Sequence, residues 1–328
     1  MSSPTFHHSE QIAMIPSTDN VTLEARIGTP FTSTTTRKDV CIIVTHPYGS
    51  LGGNLQNNVV ESVVRAFGRD YITARFNFRG VGQSTGRGTY GGKGETEDLL
   101  SVWRYVRDRV DLKPRFFILV GYSYGCIPVS ASCLGVEGCI GVATISFPAS
   151  VMWFLTAGNS SKYLDSLRMF PDTLPKLFII GSKDNFTSVK NFSQLTNSMP
   201  EKKTVEIIEG IDHFWGGHEQ IVVDSIRKWI RLENVVPDKI KGVPLLPLES
   251  LREARRLQQQ QPSSQSPMSS SAGLRGAKST ESLNSAGSSP KRSPFGGSMG
   301  DLTGSGGELS KNREQVSDSK ATLKGPSS

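Results

Sequence analysis

The stretch that most constrains the fold runs from Phe116 to Ser130 and reads FFILVGYSYGCIPVS. An apolar run typical of a buried strand ends in a Gly-Tyr-Ser-Tyr-Gly turn, and a helix-compatible segment begins directly after it. The two glycines remove side chains that would clash in so tight a turn, and Ser123 between them is held in a strained backbone conformation. We therefore predict a strand, a turn and a helix, with Ser123 as a candidate nucleophile at the carboxyl end of the strand.

Further apolar runs alternate with helix-like segments before and after this stretch. Residues 11–15 and 21–27 alternate apolar and polar positions and are predicted to form an antiparallel pair at a sheet edge. Other strands are predicted at 40–44, 71–76, 139–145, 177–180 and 204–208, and helices at 54–67, 95–110, 189–197 and through Ile221, Ile226 and Trp229. This order predicts a mostly parallel sheet with helices on both faces, whose ligand chemistry collects at the carboxyl ends of the strands.

The composition of the chain changes near Pro237. From about Gln258 onward it is almost entirely Ser, Gly, Pro, Gln, Lys and Arg, which cannot bury enough apolar surface to offset the entropy lost on ordering. We therefore predict a flexible amino terminus at residues 1–10, one α/β domain at 11–236, and a linker with a disordered tail at 237–328. Residues 248–260 are compatible with a short helix within that linker.

Charge and cysteine spacing exclude several functional classes. The net charge of +7 is spread along the chain without a dense basic run, so we expect no nucleic-acid ligand. The four cysteines, which lack the paired spacing of a metal site, are expected to be buried free thiols: Cys41, Cys126, Cys133 and Cys139. No apolar signal core opens the chain and no eighteen apolar residues run together, so we expect a soluble cytoplasmic protein without a membrane segment.

A serine hydroxyl needs a neighbouring base to become a nucleophile, and the chain has five histidines. His7 and His8 lie near the amino terminus, and His46 precedes Pro47 in the loop after the third strand. His213 follows the last strand directly, which is where this order of elements places the base. His218, five residues later, is the alternative, with a surface or helix-end role as its simpler interpretation.

The base needs an acid that fixes its tautomer, and Asp184 stands at the end of the penultimate strand. An ordinary turn aspartate is the competing interpretation of Asp184. Asp212 adjoins His213 and would point elsewhere, while Asp98 precedes the nucleophile and so comes in the wrong order. Asp184 is therefore the predicted acid.

Attack on a carbonyl also creates an oxyanion, which two backbone amides must stabilise. One should be the amide of Tyr124, which follows the nucleophile and begins a helix. The other should come from the Gly- and Pro-rich loop at residues 45–53, and the amide of Tyr48 is the predicted donor.

Together the segments HPYGSLGGNLQNNVV, RFNFRGVGQSTG, GYSYG, GSKD and GIDHFWGG resemble the α/β-hydrolase superfamily. The resemblance is greatest to its small, nearly lidless group with an HPHP-like loop and an FNFRGxGxS motif, and it covers residues 11–232. It implies an eight-stranded sheet, a triad of Ser123, Asp184 and His213, no cofactor, and a structural role for Arg79 in the RG turn. The chain departs from the group at Tyr48-Gly49, where related proteins often have His-Pro.

Residues 147–174 lie where larger hydrolases insert a cap, and about thirty residues are too few for a full one. We therefore expect a minimal cap and an open site. The aromatic and large apolar side chains of this segment either cover the sheet edge or line a substrate pocket: Met152, Trp153, Phe154, Leu155, Tyr163 and Phe170.

These features predict a serine hydrolase that cleaves a small-molecule carboxylic ester or thioester through an acyl-enzyme. A serine peptidase acting on small peptides would use the same groups, and a non-enzymatic hydrolase-like scaffold acting through its tail is the alternative from another class. The tail carries Ser266-Pro267, Ser289-Pro290 and Ser293-Pro294 as potential kinase sites, where a phosphate could recruit or release a protein partner. An unregulated, solvated tail is the simpler interpretation.

Overall fold

An eight-stranded sheet organises the residues that the computed structural model describes, which are 10–30, 37–89 and 91–236. The strands are β1 Glu10–Pro16, β2 Thr22–Gly28, β3 Arg37–Thr45, β4 Tyr71–Phe76, β5 Phe116–Tyr122, β6 Cys139–Ile145, β7 Lys176–Gly181 and β8 Lys203–Ile208. They lie in the order β1-β2-β4-β3-β5-β6-β7-β8, in which β2 is antiparallel to both its neighbours and the five other adjacent pairs are parallel. The predicted mostly parallel, eight-stranded sheet is confirmed.

Helices cover both faces of this sheet. They are α1 Asn58–Phe67, α2 Lys93–Asp108, α3 Cys126–Ser132, α4 Met152–Leu155, α5 Ser160–Arg168, α6 Val189–Asn197 and α7 Glu219–Leu232. Helices α1 and α7 pack with alternate strand residues such as Ile42 on one face, while α2, α3, α5 and α6 pack with the intervening residues such as Ile43 on the other. The two apolar cores explain why the central strands read as continuous apolar runs, since each is buried on both sides.

Two helices differ in their bounds from the prediction. Helix α1 begins at Asn58 rather than at residue 54, because asparagine side chains close a turn before it: Asn57 Oδ1 accepts from the Asn54 amide at 2.9 Å, and Asn54 Oδ1 accepts from the Gln56 amide at 2.8 Å. Helix α2 is shifted two residues toward the amino terminus and ends where Arg109 adopts an extended backbone. Neither difference moves a residue of the predicted site.

A buried ion pair ties the loop after β4 to helix α2. Arg79 donates from Nη2 to Asp98 Oδ1 at 2.9 Å and from its amide to Asp98 Oδ2 at 3.0 Å, and Asp98 is fully buried. Gly94 on α2 lies so close that an added Cβ would sit 2.6 Å from the Arg79 guanidinium. Arg79 therefore has the structural role that the family resemblance implies.

Asp98→Ala is expected to destabilise the fold by about 3–5 kcal/mol, because it would remove the buried carboxylate from the Arg79 guanidinium and leave only the exposed Asp19 as its partner. Urea unfolding of the two proteins measures the difference in unfolding free energy. Asp224→Ala is the matched control, since Asp224 forms an exposed ion pair with Arg227 that should contribute at most about 1 kcal/mol. Equal losses for the two variants would contradict the anchoring role of Asp98.

Several predictions fall outside the described residues: those on residues 1–9 and on everything from residue 237, including the short helix and the kinase sites. The boundaries at residues 11 and 236 stay predictions. Within the described residues no helix is long and apolar enough to cross a membrane. All four cysteines are described, and all are buried with free thiols.

Candidate active site

The turn at Ser123 has the strained geometry that its sequence predicts. Ser123 lies between β5 and α3 and has φ of +53°. This is a left-handed backbone conformation that non-glycine residues rarely adopt. A Cβ on Gly121 would lie 2.7 Å from the Cα of Cys126, and one on Gly125 would lie 2.6 Å from Thr45 Oγ1. Both positions therefore require glycine, and the packing of Gly125 on Thr45 brings the loop after β3 next to the serine.

The structure brings Ser123, His213 and Asp184 together at the carboxyl ends of β5, β8 and β7. His213 Nε2 lies 2.8 Å from Ser123 Oγ, and His213 Nδ1 lies 2.8 Å from Asp184 Oδ2. A carboxylate can only accept, so Nδ1 carries the ring proton and Nε2 is left as an acceptor for the serine hydroxyl. This is the tautomer that a general base next to Ser123 requires.

Asp184 is held in place by the turn that follows it. Its Oδ1 accepts from the amides of Phe186 at 2.9 Å and Thr187 at 3.0 Å, which leaves Oδ2 directed at His213. Asp184 therefore also makes the turn interactions of its competing interpretation. One carboxylate oxygen organises the turn and the other orients the histidine.

Aromatic side chains that the sequence interpretation missed surround His213. Tyr122 donates its hydroxyl proton to the His213 carbonyl at 3.0 Å and stacks on the imidazole, with ring centroids 6.0 Å apart. Burial raises the pKa of Tyr122, so the phenol stays protonated and able to donate. The rings of Phe186 and Phe214 also pack against the imidazole, with centroids 4.4 and 5.7 Å from its own. The position of Tyr122 within the Gly-Tyr-Ser-Tyr-Gly turn was the available signal, whereas no pattern marked Phe186.

Tyr48 and Tyr124, the predicted oxyanion donors, lie next to each other, with ring centroids 5.0 Å apart. The loop at Tyr48 is tightly turned, because the amides of Leu51 and Gly53 both donate to its carbonyl and an added Cβ on Gly53 would lie 2.2 Å from the Pro47 oxygen. Within the described residues the Tyr48 amide, which precedes a short 3-10 helix, donates to no backbone carbonyl. The Tyr48 amide is therefore left without a backbone acceptor, and the oxyanion roles of Tyr48 and Tyr124 stay predictions.

His46 anchors the loop rather than acting as a base. Its Nε2 accepts from the Phe78 amide at 3.0 Å, so Nδ1 carries the proton and donates it to the Pro47 carbonyl at 2.6 Å. Burial lowers its pKa to about 4, so the ring is neutral at physiological pH. His46 thereby connects the loop of Tyr48 to the strand exit at Phe78.

The other candidate acids and bases lie apart from the serine. His218 is exposed at the residue before α7, and Asp212 is exposed, with its Oδ1 accepting from the Phe214 amide at 2.9 Å. Asp98 is engaged by Arg79. No group of three or more metal-ligating side chains that could hold an ion occurs among the described residues.

In the segment between β6 and β7, some aromatic and large apolar side chains cover the sheet and others are exposed. Met152, Tyr163 and Phe170 are buried in the core beside α3. Trp153 and Phe154 are instead 67% and 47% exposed, with ring centroids 6.1 Å apart. The buried residues cover the sheet, and the exposed pair is free to meet a ligand.

Comparison with solved structures decides the architecture. The chain is similar to an α/β serine hydrolase without a lid from Xanthomonas campestris, with a TM-score of 0.59. The two sequences are 22% identical, and the match covers 72% of this chain and 100% of that one. The chain has the α/β-hydrolase fold. In this α/β-hydrolase fold a 3-10 turn at Ala149–Val151 and the short helices α4 and α5 lie where a cap would be inserted, which agrees with the predicted minimal cap.

Two further comparisons add to this one. An esterase of Pyrococcus furiosus shares the α/β-hydrolase fold with a TM-score of 0.58 and 16% identity, covering 69% of this chain and 91% of that one. An uncharacterised protein of Rickettsia prowazekii is 23% identical over 201 residues, which are 58% of this chain and 79% of that protein. No family model matches the chain.

Proposed function

We propose that the chain is a serine hydrolase that cleaves carboxylic esters or thioesters through an acyl-enzyme. The observation that carries this proposal is the position of the His213 imidazole between the serine and the aspartate. Its Nε2 lies 2.8 Å from Ser123 Oγ, and its Nδ1 lies 2.8 Å from Asp184 Oδ2. A scaffold that acts only through its tail needs none of these three groups. The fold neighbours, whose names include a serine hydrolase and an esterase, support the same class.

In the first half of the reaction, Ser123 Oγ attacks the substrate carbonyl carbon while its proton passes to His213 Nε2. Asp184 stabilises the imidazolium that forms. The negative charge that develops on the carbonyl oxygen is accepted by the amides of Tyr48 and Tyr124, and loss of one such donor typically lowers the rate about 10²- to 10³-fold. When the tetrahedral intermediate collapses, His213 returns the proton to the leaving alcohol or thiol, and the acyl group remains on Ser123.

In the second half, a water molecule takes the place of the alcohol. The water oxygen attacks the acyl carbon while His213 Nε2 removes a proton from the water. The same proton passes to Ser123 Oγ when the acid is released. Ser123 has a strained backbone, and Gly121 and Gly125 on either side have no room for a side chain. This tight turn holds the serine hydroxyl in one position through both halves of the reaction.

Substrate selection is expected to depend on the exposed aromatic side chains beside His213 and on the segment between β6 and β7. Phe214 is 56% exposed next to His213, and Trp153 and Phe154 are exposed on the segment that replaces a cap. Such surfaces favour an apolar acyl or alcohol group without enclosing it. We therefore expect modest selectivity for acyl chain length.

A panel of p-nitrophenyl esters of increasing acyl length, with a thioester and a chromogenic dipeptide beside it, tests this function. We expect turnover of esters or the thioester by the wild type and none by Ser123→Ala. A kcat/KM for the dipeptide above those for the esters would identify a peptidase instead. No turnover of any substrate, with correctly folded protein, would contradict the hydrolase assignment.

A further inference from the structure

A cavity of about 480 Å³ lies beside the loop that carries Tyr48, and none of the three triad residues lines it. Strand β2 and the loops after β3 and β4 form its walls. The lining residues that matter here are Glu24, Arg26, Gly49, Leu55, Asn77 and Gln83. The volume falls within the roughly 300–1,000 Å³ of small-molecule sites, so the cavity has room for a ligand.

The polar groups on one wall of the cavity are fixed to each other. Asn77 Nδ2 and the Gln83 amide donate to Glu24 Oε2 at 2.7 and 2.9 Å, and the Leu55 amide donates to Asn77 Oδ1 at 2.8 Å. Glu24 and Asn77 are both buried. Because these links connect strand β2 to both loops, the wall is formed before any ligand arrives.

Arg26 is the exception to this pairing. Its Nε is buried without a hydrogen-bond partner, and within the described residues Arg26 forms no ion pair. Arg75, its cross-strand neighbour, is by contrast paired with Glu10 and Glu61. The buried Nε is itself out of a ligand's reach, but Arg26 lines the cavity, so its guanidinium is a charge in the cavity wall that no carboxylate of the described residues neutralises.

We propose that this cavity binds a small anionic ligand whose carboxylate or phosphate group pairs with the guanidinium of Arg26. The planar guanidinium matches either group through two parallel hydrogen bonds. Glu24 Oε1 accepts no hydrogen bond among the described residues and lines the same cavity, where it would accept from a hydroxyl or ammonium group of the ligand. The ligand class is therefore an anion that also carries a hydrogen-bond donor, such as a hydroxy acid or hydrogen phosphate.

The site also reaches the loop of Tyr48. Gly49 lines the cavity and directly follows Tyr48, and a Cβ at Gly49 would lie 2.4 Å from Val81 Cγ2, so the loop has little freedom to absorb a contact. A ligand in the cavity is therefore expected to change kcat or KM for ester hydrolysis. This second effect rests on the proposed function, whereas binding itself does not.

Binding is tested on the full chain with inorganic phosphate, followed by the line width of its ³¹P NMR signal, and with L-lactate as a competitor. We expect the wild type to broaden the signal and lactate to reverse the broadening. Arg26→Gln should weaken phosphate binding by about 10- to 150-fold, the loss of hydrogen bonds to a charged group. Arg26→Lys keeps the charge without the planar fork and should bind with intermediate affinity.

Arg104→Gln is the matched control, because Arg104 is exposed on α2, which packs against the opposite face of the sheet. It removes the same charge and should leave phosphate binding unchanged. The proposal is overturned if the wild type does not broaden the signal, if Arg26→Gln binds as well as the wild type, or if both glutamine variants lose binding equally. Binding that persists without any effect on ester turnover would overturn only the link to Tyr48, and a chain without hydrolase activity would still report on binding.

Discussion

His213→Ala is expected to lower kcat for ester hydrolysis by about a millionfold while leaving the fold intact. Without the imidazole, Ser123 Oγ loses the acceptor that the described structure provides for its proton, and Asp184 cannot replace it because its carboxylate contacts the far side of the same ring. His213 packs mainly against Tyr122, Phe186 and Phe214 at the edge of the core, so its removal should not unfold the chain. Steady-state kinetics on a p-nitrophenyl ester, with circular dichroism as the check on folding, measures both effects.

His218→Ala provides the matched control for this variant. His218 lies five residues further on, is exposed, and has no hydrogen bond to Ser123 or Asp184 in the described structure. Its kcat should stay within a few-fold of the wild type. Retention of most of the activity by His213→Ala, or an equal loss in the two variants, would contradict the assignment of the base.

Asp184→Asn is expected to lower kcat by about 10⁴-fold with little change in structure. The asparagine oxygen can still accept from the amides of Phe186 and Thr187, which keeps the turn. Its amide nitrogen would then donate to His213 Nδ1, so the ring proton would move to Nε2. Nε2 would face Ser123 as a donor, and the serine proton would have no acceptor.

Kinetics of Asp184→Asn beside Asp212→Asn tests this tautomer argument. Asp212 adjoins the histidine in sequence, but it is exposed and accepts from the Phe214 amide instead of the imidazole. The control should therefore lose little activity. An Asp184→Asn variant with near wild-type kcat would show that the 2.8 Å contact has no catalytic consequence.

The sequence predicts those parts of the fold in which the local structure permits only one type of residue at a position. The central strands are buried on both faces, so almost all of their buried side chains are apolar. The parallel sheet could therefore be predicted from local sequence patterns. The turn at Ser123 could also be predicted, since Gly121 and Gly125 face atoms that leave no space for a Cβ. Strand order then places Ser123, Asp184 and His213 on one edge.

The parts that the sequence does not predict depend on contacts between distant segments. The phenol of Tyr122 reaches the His213 carbonyl across 91 positions of sequence, and Phe186 packs on the same ring from another loop. The start of α1 was predicted too early because the asparagine turn competes with the helix through side-chain hydrogen bonds. The unpaired Nε of Arg26 has no sequence signal, because lack of a partner is a property of the folded surroundings.

Covalent labelling by a fluorophosphonate probe tests the central claim, that Ser123 is an activated nucleophile, most directly. Intact-mass spectrometry of the full chain should show a single phosphonate adduct on the wild type, located at Ser123 by peptide mapping, and no adduct on Ser123→Ala. The probe reports activation of the serine without requiring that the natural substrate be known. An unlabelled wild type, or undiminished labelling of Ser123→Ala, would contradict the account.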